Sequence, residues 1–332
     1  MRPSFYPRLI NGPFDDPGIY VPFIFTNRAL LFDLGDLAPL SARDILKVSH
    51  VFVTHTHMDH FVGFDRILRL FLGREKELHL FGPQGFMANV EGKLAGYTWN
   101  LVQSYDNRFC LSVTEVGADT LYTQKYLCRE QFAKGGKPQK RPFKGCLHNE
   151  LTLKVDATIL DHGIDSLGFS LKERFHVNIK KDGLLRLGLT TGPWINHFKK
   201  ALFDNKDPQF EISVPTPKPR NFLLKELADQ IAVITPGQKI TYIADAAYCQ
   251  KNIDKMVDLA QDTDHLFIEA PFLDKHTDTA RLKKHLTAAQ AGTIAGRAQA
   301  KRFTPFHFSP RYSDQPDLLE QEAQNAYRQA LS

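Results

Sequence analysis

The stretch His55-Thr56-His57-Met58-Asp59-His60 brings three imidazoles and a carboxylate together within six residues. An apolar run, Val51-Phe52-Val53, comes directly before it and predicts a short buried strand. Apolar residues then recur at helical spacing over residues 61–72, which predicts an amphipathic helix. The histidine-rich stretch is therefore expected to form the turn between a strand and a helix.

The expected turn orients four side chains of this stretch. If the backbone stays extended past the strand, His55 and His57 point the same way, because alternate strand residues share a face. Asp59 and His60 then lie in the first turn of the helix. Two imidazoles can hold one metal ion while a carboxylate and an imidazole serve a second. This donor set favours zinc, with manganese or iron as alternatives. A lone histidine would more often be a core residue, but this cluster favours a metal site.

Three more candidate ligands share one property, since each lies just past a predicted strand. They are His162 after the strand 151–159, Asp245 after the strand 240–244, and His307 after the strand 302–306. Taken singly, each has a simpler interpretation, because an aspartate after a strand is usually a turn residue and a histidine among phenylalanines can simply pack. Together they supply two imidazoles and a carboxylate able to bridge two metal ions.

Short apolar strands alternate with helical patterns along the whole chain, which predicts an α/β protein. The predicted strands cover residues 29–32, 51–53, 78–81, 151–159, 167–171, 240–244, 265–270 and 302–306. Thr287-Ala288-Ala289-Gln290 has the sequence of a capping box, so a helix is expected to run from there toward residue 300. A last helix is expected over residues 317–331.

Composition narrows the functional classes. The chain is 42% hydrophobic and 24% charged, and it has no apolar run of the ~20 residues that cross a bilayer. Its beginning lacks the apolar segment of a secretory signal, so we expect a cytoplasmic protein that contacts no membrane. None of the four cysteines forms a C-x-x-C pair, which argues against a cysteine-ligated metal. The net charge of +5 and the pI of about 8.9 suit an anionic substrate.

Two stretches are rich in basic residues and in glycine or proline. Residues 134–145 are expected to form an irregular loop, and residues 173–220 an irregular, basic insertion. Candidate ligands lie on both sides of the longer stretch. We therefore predict one domain over residues 1–332 that carries an arm at about 173–220.

Several motifs resemble those of one known family. His55–His60 matches the H-x-H-x-D-H signature of the metallo-β-lactamase superfamily, and the chain most resembles its ribonuclease Z family, the tRNA 3′-processing endonucleases, as a divergent member. Four further passages carry the resemblance: Leu160-Asp161-His162-Gly163, Ile243-Ala244-Asp245, Phe267-Ile268-Glu269-Ala270 with His285-Leu286-Thr287-Ala288, and His307-Phe308-Ser309-Pro310-Arg311-Tyr312. Departures include the N-terminal segment 12–18, where the family has a glycine-rich loop.

The resemblance implies a fold, a metal centre and a reaction. The fold is an αββα four-layer sandwich of the metallo-β-lactamase type. Two divalent metal ions would activate a hydroxide that removes the 3′ trailer from precursor tRNA. The implied residue roles are as follows: His55, His57 and His162 on one metal, Asp59, His60 and His307 on the other, Asp245 bridging, Asp59 orienting the nucleophile, His285 as acid oriented by Glu269, and Ser309 with Arg311 on a phosphate. The arm would clamp the tRNA, and a homodimer is expected.

Two alternatives stay open. The first is a phosphodiesterase of the same fold that acts on a small phosphodiester or a cyclic nucleotide. The second is a metal-bearing binding protein without activity, although it would have no need of all seven ligand positions. Fold alone does not separate these functions.

Overall fold

The computed structural model describes residues 4–24, 26–217 and 219–331. In chain order its strands are β1 (Arg8–Leu9), β2 (Ile19–Pro22), β3 (Ala29–Phe32), β4 (Val48–Phe52), β5 (Lys76–Pro83), β6 (Phe109–Val116), β7 (Thr120–Leu127), β8 (Gln139–Pro142), β9 (Cys146–Asn149), β10 (Leu153–Asp161), β11 (Asp165–Glu173), β12 (Phe175–Ile179), β13 (Glu211–Val214), β14 (Arg220–Leu223), β15 (Ala232–Pro236), β16 (Lys239–Ile243), β17 (His265–Glu269) and β18 (Phe303–Phe306).

Its α-helices are α1 (Ala42–Ile45), α2 (Met58–Phe61), α3 (Phe64–Phe71), α4 (Phe86–Ala95), α5 (Lys181–Arg186), α6 (Trp194–Phe203), α7 (Leu224–Ile231), α8 (Gln250–Ala260), α9 (Thr277–Lys283), α10 (Ala288–Arg297) and α11 (Pro316–Leu331). Short 3-10 helices cover Val102–Ser104, Cys128–Glu130, Asp274–His276 and Pro310–Tyr312. Within the described residues, no helix is long and apolar enough to span a membrane.

The chain divides into two compact units. The larger unit comprises Phe5–Leu147, Val155–Leu171 and Lys239–Ser332, and the smaller comprises Met1–Ser4, His148–Lys154 and Lys172–Gln238. All the predicted metal ligands belong to the larger unit.

Two sheets form the framework that positions these ligands. The first has the order β1-β2-β3-β4-β5-β6-β7-β8, with β3 to β6 running parallel. The second has the order β18-β17-β16-β11-β10-β9, with β16, β17 and β18 parallel. Parallel neighbours end at the same edge of a sheet, so residues that follow these strands meet there.

The two sheets of the larger unit pack face to face through aromatic side chains. Phe32 of the first sheet has its ring centroid 5.6 Å from that of Phe169 and 6.1 Å from that of Tyr242, both in the second sheet. Buried residues of α1, α3 and α4 pack with the first sheet, and those of α8, α10 and α11 pack with the second. The layers are therefore helix, sheet, sheet and helix, the αββα sandwich that the sequence resemblance implied.

The predicted elements around the histidine-rich turn are confirmed, with one break. The helix expected over residues 61–72 is split into α2 and α3 at Gly63. A β-carbon at Gly63 would lie 2.3 Å from the carbonyl oxygen of Gly35, so only glycine lets the loop after β3 pass so close. The capping box is also confirmed, because Thr287 Oγ1 accepts a hydrogen bond from the Gln290 amide at 3.2 Å and Gln290 Oε1 accepts one from the Thr287 amide at 3.0 Å.

Both stretches that were predicted to be irregular contain regular structure. Strand β8 lies inside residues 134–145 and pairs with β7, but its four residues are exposed and so lack the apolar alternation that identifies a strand. Residues 173–220 contain β12, α5, α6 and β13 within the smaller unit. That unit has its own hydrophobic core, which includes Trp194, Phe198, Ile212, Leu224, Leu227 and Ile231. In the sequence, the apolar residues of this unit are separated by lysines and prolines, so the stretch was predicted to be irregular.

Candidate metal centre and active site

The candidate site lies where strands of the larger unit end. His55 follows β4 closely, while Asp59 and His60 lie in the short helix α2. The distant candidates follow other strands, with His162 after β10, Asp245 after β16 and His307 after β18. Asp245 and His307 have positive φ angles of 53° and 60°, which L-residues rarely adopt. Such strained backbone at a cluster of polar side chains is typical of a functional site.

The first group of donors consists of His55, His57, His162 and Asp245, whose ligand atoms all lie within 4.8 Å of one another. Nε2 of His55 is 2.8 Å from Nδ1 of His57. Oδ2 of Asp245 lies 3.6 Å from Nε2 of His55 and 3.3 Å from Nε2 of His162. Three imidazole nitrogens and a carboxylate oxygen therefore face one small volume.

The second group consists of Asp59, His60 and His307. Oδ2 of Asp59 is 3.6 Å from Nε2 of His60 and 3.3 Å from Nε2 of His307. Asp245 joins the two groups, since its Oδ2 is also 3.5 Å from Nε2 of His60 and its Oδ1 is 2.9 Å from Nδ1 of His307. The structure thus brings together all seven residues predicted as ligands.

Buried polar atoms without hydrogen bonds test whether this arrangement fits metal ions. Three buried atoms of the cluster neither donate nor accept a hydrogen bond with any described residue: Nε2 of His60, Oδ1 of Asp245 and Nδ1 of His307. The last two lie 2.9 Å apart but lack the alignment of a hydrogen bond. Burying such groups unpaired is costly, whereas a cation would satisfy all three. The residues present therefore fit a metal centre.

The electrostatics of the cluster lead to the same interpretation. Burial works against protonation of His60, but the carboxylates of Asp245 and then Asp33 raise its pKa to about 10. Burial also works to raise the pKa of Asp59, yet the hydrogen bond from His307 and the charge of His60 lower it to about 2. The carboxylates thus create a negative potential that retains the second proton of His60, and a bound cation would replace that proton. His55 differs, because burial and then the charge of His60 lower its pKa to about 2.

Asp33 holds one ligand from behind. Its Oδ2 accepts hydrogen bonds from Nδ1 of His60 and from the Tyr242 hydroxyl, each at 2.9 Å. Its Oδ1 accepts from the Thr54 amide at 2.7 Å. With Nδ1 of His60 occupied in this way, only Nε2 faces the cluster. Asp33 directly follows β3, as the predicted ligands follow their own strands. The sequence predicted a strand over residues 29–32 but indicated no role for Asp33.

Lys284 orients a second ligand through its backbone. Its carbonyl oxygen accepts a hydrogen bond from Nδ1 of His162 at 2.9 Å, which leaves Nε2 of His162 facing Asp245. Lys284 has a φ of 59°, and its ammonium is 3.2 Å from Oδ1 of Asp161. Nothing in the sequence around Lys284 indicated this role.

The buried Glu269 and the partly exposed His285 form a pair beside the two donor groups. Oε2 of Glu269 is 2.6 Å from Nδ1 of His285, and Oε1 of Glu269 accepts from the Ala246 amide at 2.7 Å. Burial lowers the pKa of His285, but Glu269 outweighs burial and raises it. The donor atoms of this pair also lie within 4.8 Å of those of Asp245 and His307. The structure therefore brings the predicted acid and its orienting carboxylate together at the site.

Known proteins resemble this chain over most of its length. The ribonuclease Z of Deinococcus radiodurans is 30% identical over 291 residues, which are 86% of this chain and 83% of that protein. This chain belongs to the ribonuclease Z family. The ribonucleases Z of Anoxybacillus flavithermus and Nanoarchaeum equitans are 28% and 25% identical over 285 and 298 residues, covering 85% and 87% of this chain and 76% and 78% of theirs. No protein-family model matches the sequence.

Solved structures agree on the fold of this ribonuclease Z family member. Human tRNase Z, short form, superposes with a TM-score of 0.51 at 18% identity and covers 93% of each chain. The metallo-β-lactamase fold protein YhfI of Bacillus subtilis superposes with a TM-score of 0.54 at 14% identity, covering 97% of this chain and 94% of its own. The fold is therefore that of the metallo-β-lactamases.

The two predicted phosphate-binding residues, Ser309 and Arg311, differ in position relative to the centre. Ser309 lines a pocket that also includes Asp59, His285 and His307. Arg311 is exposed and is not among the residues that line this pocket. Tyr312 is buried, and its hydroxyl contacts Nδ1 of His276, so it packs inside the protein.

Proposed function

We propose that this protein is a metal-dependent endoribonuclease that removes the 3′ trailer from precursor tRNA. The observation that carries the proposal is the convergence of seven histidine and aspartate side chains, from separate parts of the chain, in a member of the ribonuclease Z family. Relatives named ribonuclease Z, and a structural neighbour named tRNase Z, support RNA as the substrate class.

Two divalent cations, for which we favour zinc, are proposed as the cofactors. His55, His57 and His162 would hold one cation, Asp59, His60 and His307 would hold the other, and Asp245 would bridge them. When bound, the cations would lower the pKa of a water molecule toward 7 and neutralise charge on the phosphate. Imidazole nitrogens with few carboxylates are the donor set that zinc commonly takes in proteins.

Glu269, His285 and Asp59 would move or hold protons. Oε2 of Glu269 accepts a hydrogen bond from Nδ1 of His285 at 2.6 Å. Nε2 of His285 is therefore the nitrogen left to donate a proton to the leaving ribose oxygen. Asp59 is 42% exposed in its side chain, in contrast to the fully buried Asp33, and it lies beside His60 and His307. We propose that it would orient the attacking water molecule.

The remaining substrate contacts are proposed from the pocket and from surface charge. Ser309 lines the pocket beside His285, where it would donate a hydrogen bond to a phosphate oxygen. Arg311, being exposed, would reach a neighbouring phosphate. In the smaller unit, Lys181, Arg186 and Lys200 are exposed and would bind the tRNA backbone as an arm within a single-domain protein. A homodimer and a cytoplasmic location remain predictions.

A side-by-side assay tests the proposed function. Purified protein is given trailer-bearing precursor tRNA, a cyclic nucleotide and bis(p-nitrophenyl) phosphate, each with and without chelator. We expect cleavage of the precursor tRNA at the trailer junction, and loss of cleavage with chelator that added zinc restores. Turnover of the cyclic nucleotide with an intact precursor tRNA would instead favour the small-substrate phosphodiesterase. Activity that resists complete metal removal would contradict both.

A further inference from the structure

A cavity of the larger unit, separate from the pocket beside the metal cluster, is lined by residues of α4, β6 and β7. Its volume is about 460 Å³, within the roughly 300–1,000 Å³ of small-molecule sites. Its lining includes Glu91 of α4, Glu115 of β6, and Gln124 and Tyr126 of β7. None of the seven residues of the metal cluster lines this cavity. The cavity is thus a second candidate for a binding site.

Strand register places three of these side chains on one face of the first sheet. Strands β6 and β7 are antiparallel, and Val113 pairs with Gln124. Paired residues share a face and alternate residues repeat it, so Glu115, Gln124 and Tyr126 project to the same side. Val90 of α4 belongs to the same hydrophobic core as Val113 and Tyr126, so α4 packs on this side. The polar groups therefore lie under the helix that lines the cavity.

Two carboxylates give the cavity a negative potential. Oε1 of Glu91 accepts a hydrogen bond from the Tyr126 hydroxyl at 2.6 Å, and Oε2 of Glu115 accepts one from the Met87 amide at 3.2 Å. Burial, then Glu91 and then Glu115, raise the pKa of Tyr126 to about 13. Both carboxylates therefore act on the same small volume, which favours a cationic occupant.

The amide of Gln124 lacks one partner. The residue is only 2% exposed, and its Nε2 donates to the carbonyl oxygens of Lys125 at 3.1 Å and Gly135 at 3.2 Å. Its Oε1 is buried and accepts no hydrogen bond from the part of the chain that the structure describes. A buried carbonyl oxygen without a donor is costly, so a ligand that donates a hydrogen bond would stabilise it.

The chain itself indicates which cation fits the carboxylates. The ammonium of Lys134, whose side chain is 65% exposed, lies 3.0 Å from Oε2 of Glu91 at the edge of the cavity. Met87, Ala88 and Pro138 add apolar lining that suits an alkyl chain. A primary ammonium on a short aliphatic chain matches both kinds of lining.

We propose that this cavity binds a short aliphatic diamine in its doubly protonated form. One ammonium would lie between Glu91 and Glu115 and donate a hydrogen bond to Oε1 of Gln124, while the alkyl chain would lie along Met87 and Pro138. A calcium or magnesium ion would need about six oxygen ligands and would leave most of the volume unfilled. The inference is independent of the proposed nuclease function.

Isothermal titration calorimetry of the metal-replete protein with putrescine tests this site. We expect saturable binding at millimolar concentrations and no binding of the uncharged diol of the same chain length. Absence of putrescine binding, or equal binding of the diol, would overturn the inference. Displacement of putrescine by calcium at lower concentration would instead make the cavity a metal site and equally overturn it.

Variants assign the binding to this cavity. Glu115→Gln keeps an acceptor for the Met87 amide but loses the charge, so it should weaken putrescine binding roughly tenfold. Lys134→Ala removes the ammonium that competes for Glu91, so it should tighten binding roughly two- to fivefold, the size of an exposed ion pair.

The matched control is Glu77→Gln, which changes an exposed carboxylate of β5 outside the cavity and should keep the wild-type affinity. Because Lys134 is exposed, Lys134→Ala decides the outcome even if Glu115→Gln fails to fold. Putrescine affinity that Lys134→Ala leaves unchanged or weakens would place the diamine elsewhere and overturn the inference.

Discussion

Asp33 accepts a hydrogen bond from Nδ1 of His60 at 2.9 Å, and both side chains are completely buried. This hydrogen bond fixes which nitrogen of His60 faces the cluster. We expect Asp33→Asn to weaken metal binding by roughly 10–100-fold, as is usual when the partner behind a ligand is removed. Competition with a chromogenic chelator measures the affinity. Tyr242→Phe, which removes one hydrogen bond to Asp33 at constant ring volume, should have a smaller effect. Unchanged affinity in Asp33→Asn would argue against this role.

His57 tests the metal centre directly. Its imidazole is 2.8 Å from Nε2 of His55 and the residue is exposed, so removing it should perturb folding little. We expect His57→Ala to lose bound metal and hydrolysis together. Elemental analysis and hydrolysis of a chromogenic phosphodiester provide the measurements. The control is His197→Ala, which changes an exposed histidine of the smaller unit. Full activity in metal-free His57→Ala protein would contradict the site.

His285 and Glu269 test the proton donor. We expect His285→Ala to lower kcat on precursor tRNA by roughly 10²–10⁴-fold, the usual contribution of a general acid. A p-nitrophenyl ester should be affected much less, because p-nitrophenolate leaves without protonation. Metal content should stay at the wild-type value. Loss of metal in His285→Ala would instead make this histidine a ligand, which its distance of 3.8 Å from Asp245 also permits. Glu269→Gln should show the same substrate contrast with a smaller loss.

The basic residues of the smaller unit test the RNA-binding arm. Residues 180–210 contribute Leu184, Trp194 and Phe198 to a hydrophobic core, so deleting them would unfold the unit as well as remove charge. The double variant Lys181→Glu/Lys200→Glu changes exposed residues only.

We expect this double variant to bind precursor tRNA more weakly and to show a shallower dependence of affinity on salt. The log–log slope should decrease by about 0.7–0.9 for each phosphate that is no longer neutralised. Chromogenic phosphodiester hydrolysis should stay at the wild-type rate. Lys144→Glu, at an exposed lysine of the larger unit, is the matched control. Equal losses on tRNA and on the small ester would contradict an RNA-binding arm.

His265 gives the stability of the fold a defined dependence on pH. Burial, and then the charge of Arg302, lower its pKa to about 4, and its Nδ1 is buried without a hydrogen bond to the described residues. The unfolded chain takes up this proton near pH 6.5, whereas the folded chain does so only near pH 4. The free energy of unfolding should therefore fall as pH decreases through this window.

The variant His265→Gln should show a shallower decrease, measured by urea unfolding at a series of pH values. The control His197→Gln changes an exposed histidine and should follow the wild-type curve. A wild-type slope in His265→Gln would contradict this explanation.

Local sequence was sufficient to predict much of the fold and the seven side chains that the structure brings together. A strand, a turn rich in donors and an amphipathic helix are short-range patterns, so residues 51–72 were predicted correctly apart from the break at Gly63. His162, Asp245 and His307 could be identified because each comes after a predicted strand. Asp245 and His307 follow β16 and β18, which run parallel to β17 and so end at the same edge of their sheet. The capping box of α10 is likewise an interaction between residues three apart.

Only the tertiary structure revealed the features that depend on contacts between distant segments. The role of Asp33 needs His60 and Tyr242, which lie 27 and 209 residues away, and that of Lys284 needs His162, 122 residues away. The smaller unit looked irregular because its apolar residues are scattered among lysines and prolines, and only folding brings them into one core. Sequence thus predicted which side chains meet in this cluster, since donor type and strand ends are local properties. Packing decided which ring nitrogen of His60 and of His162 faces the cluster, because hydrogen bonds with distant segments fix the orientation of their rings.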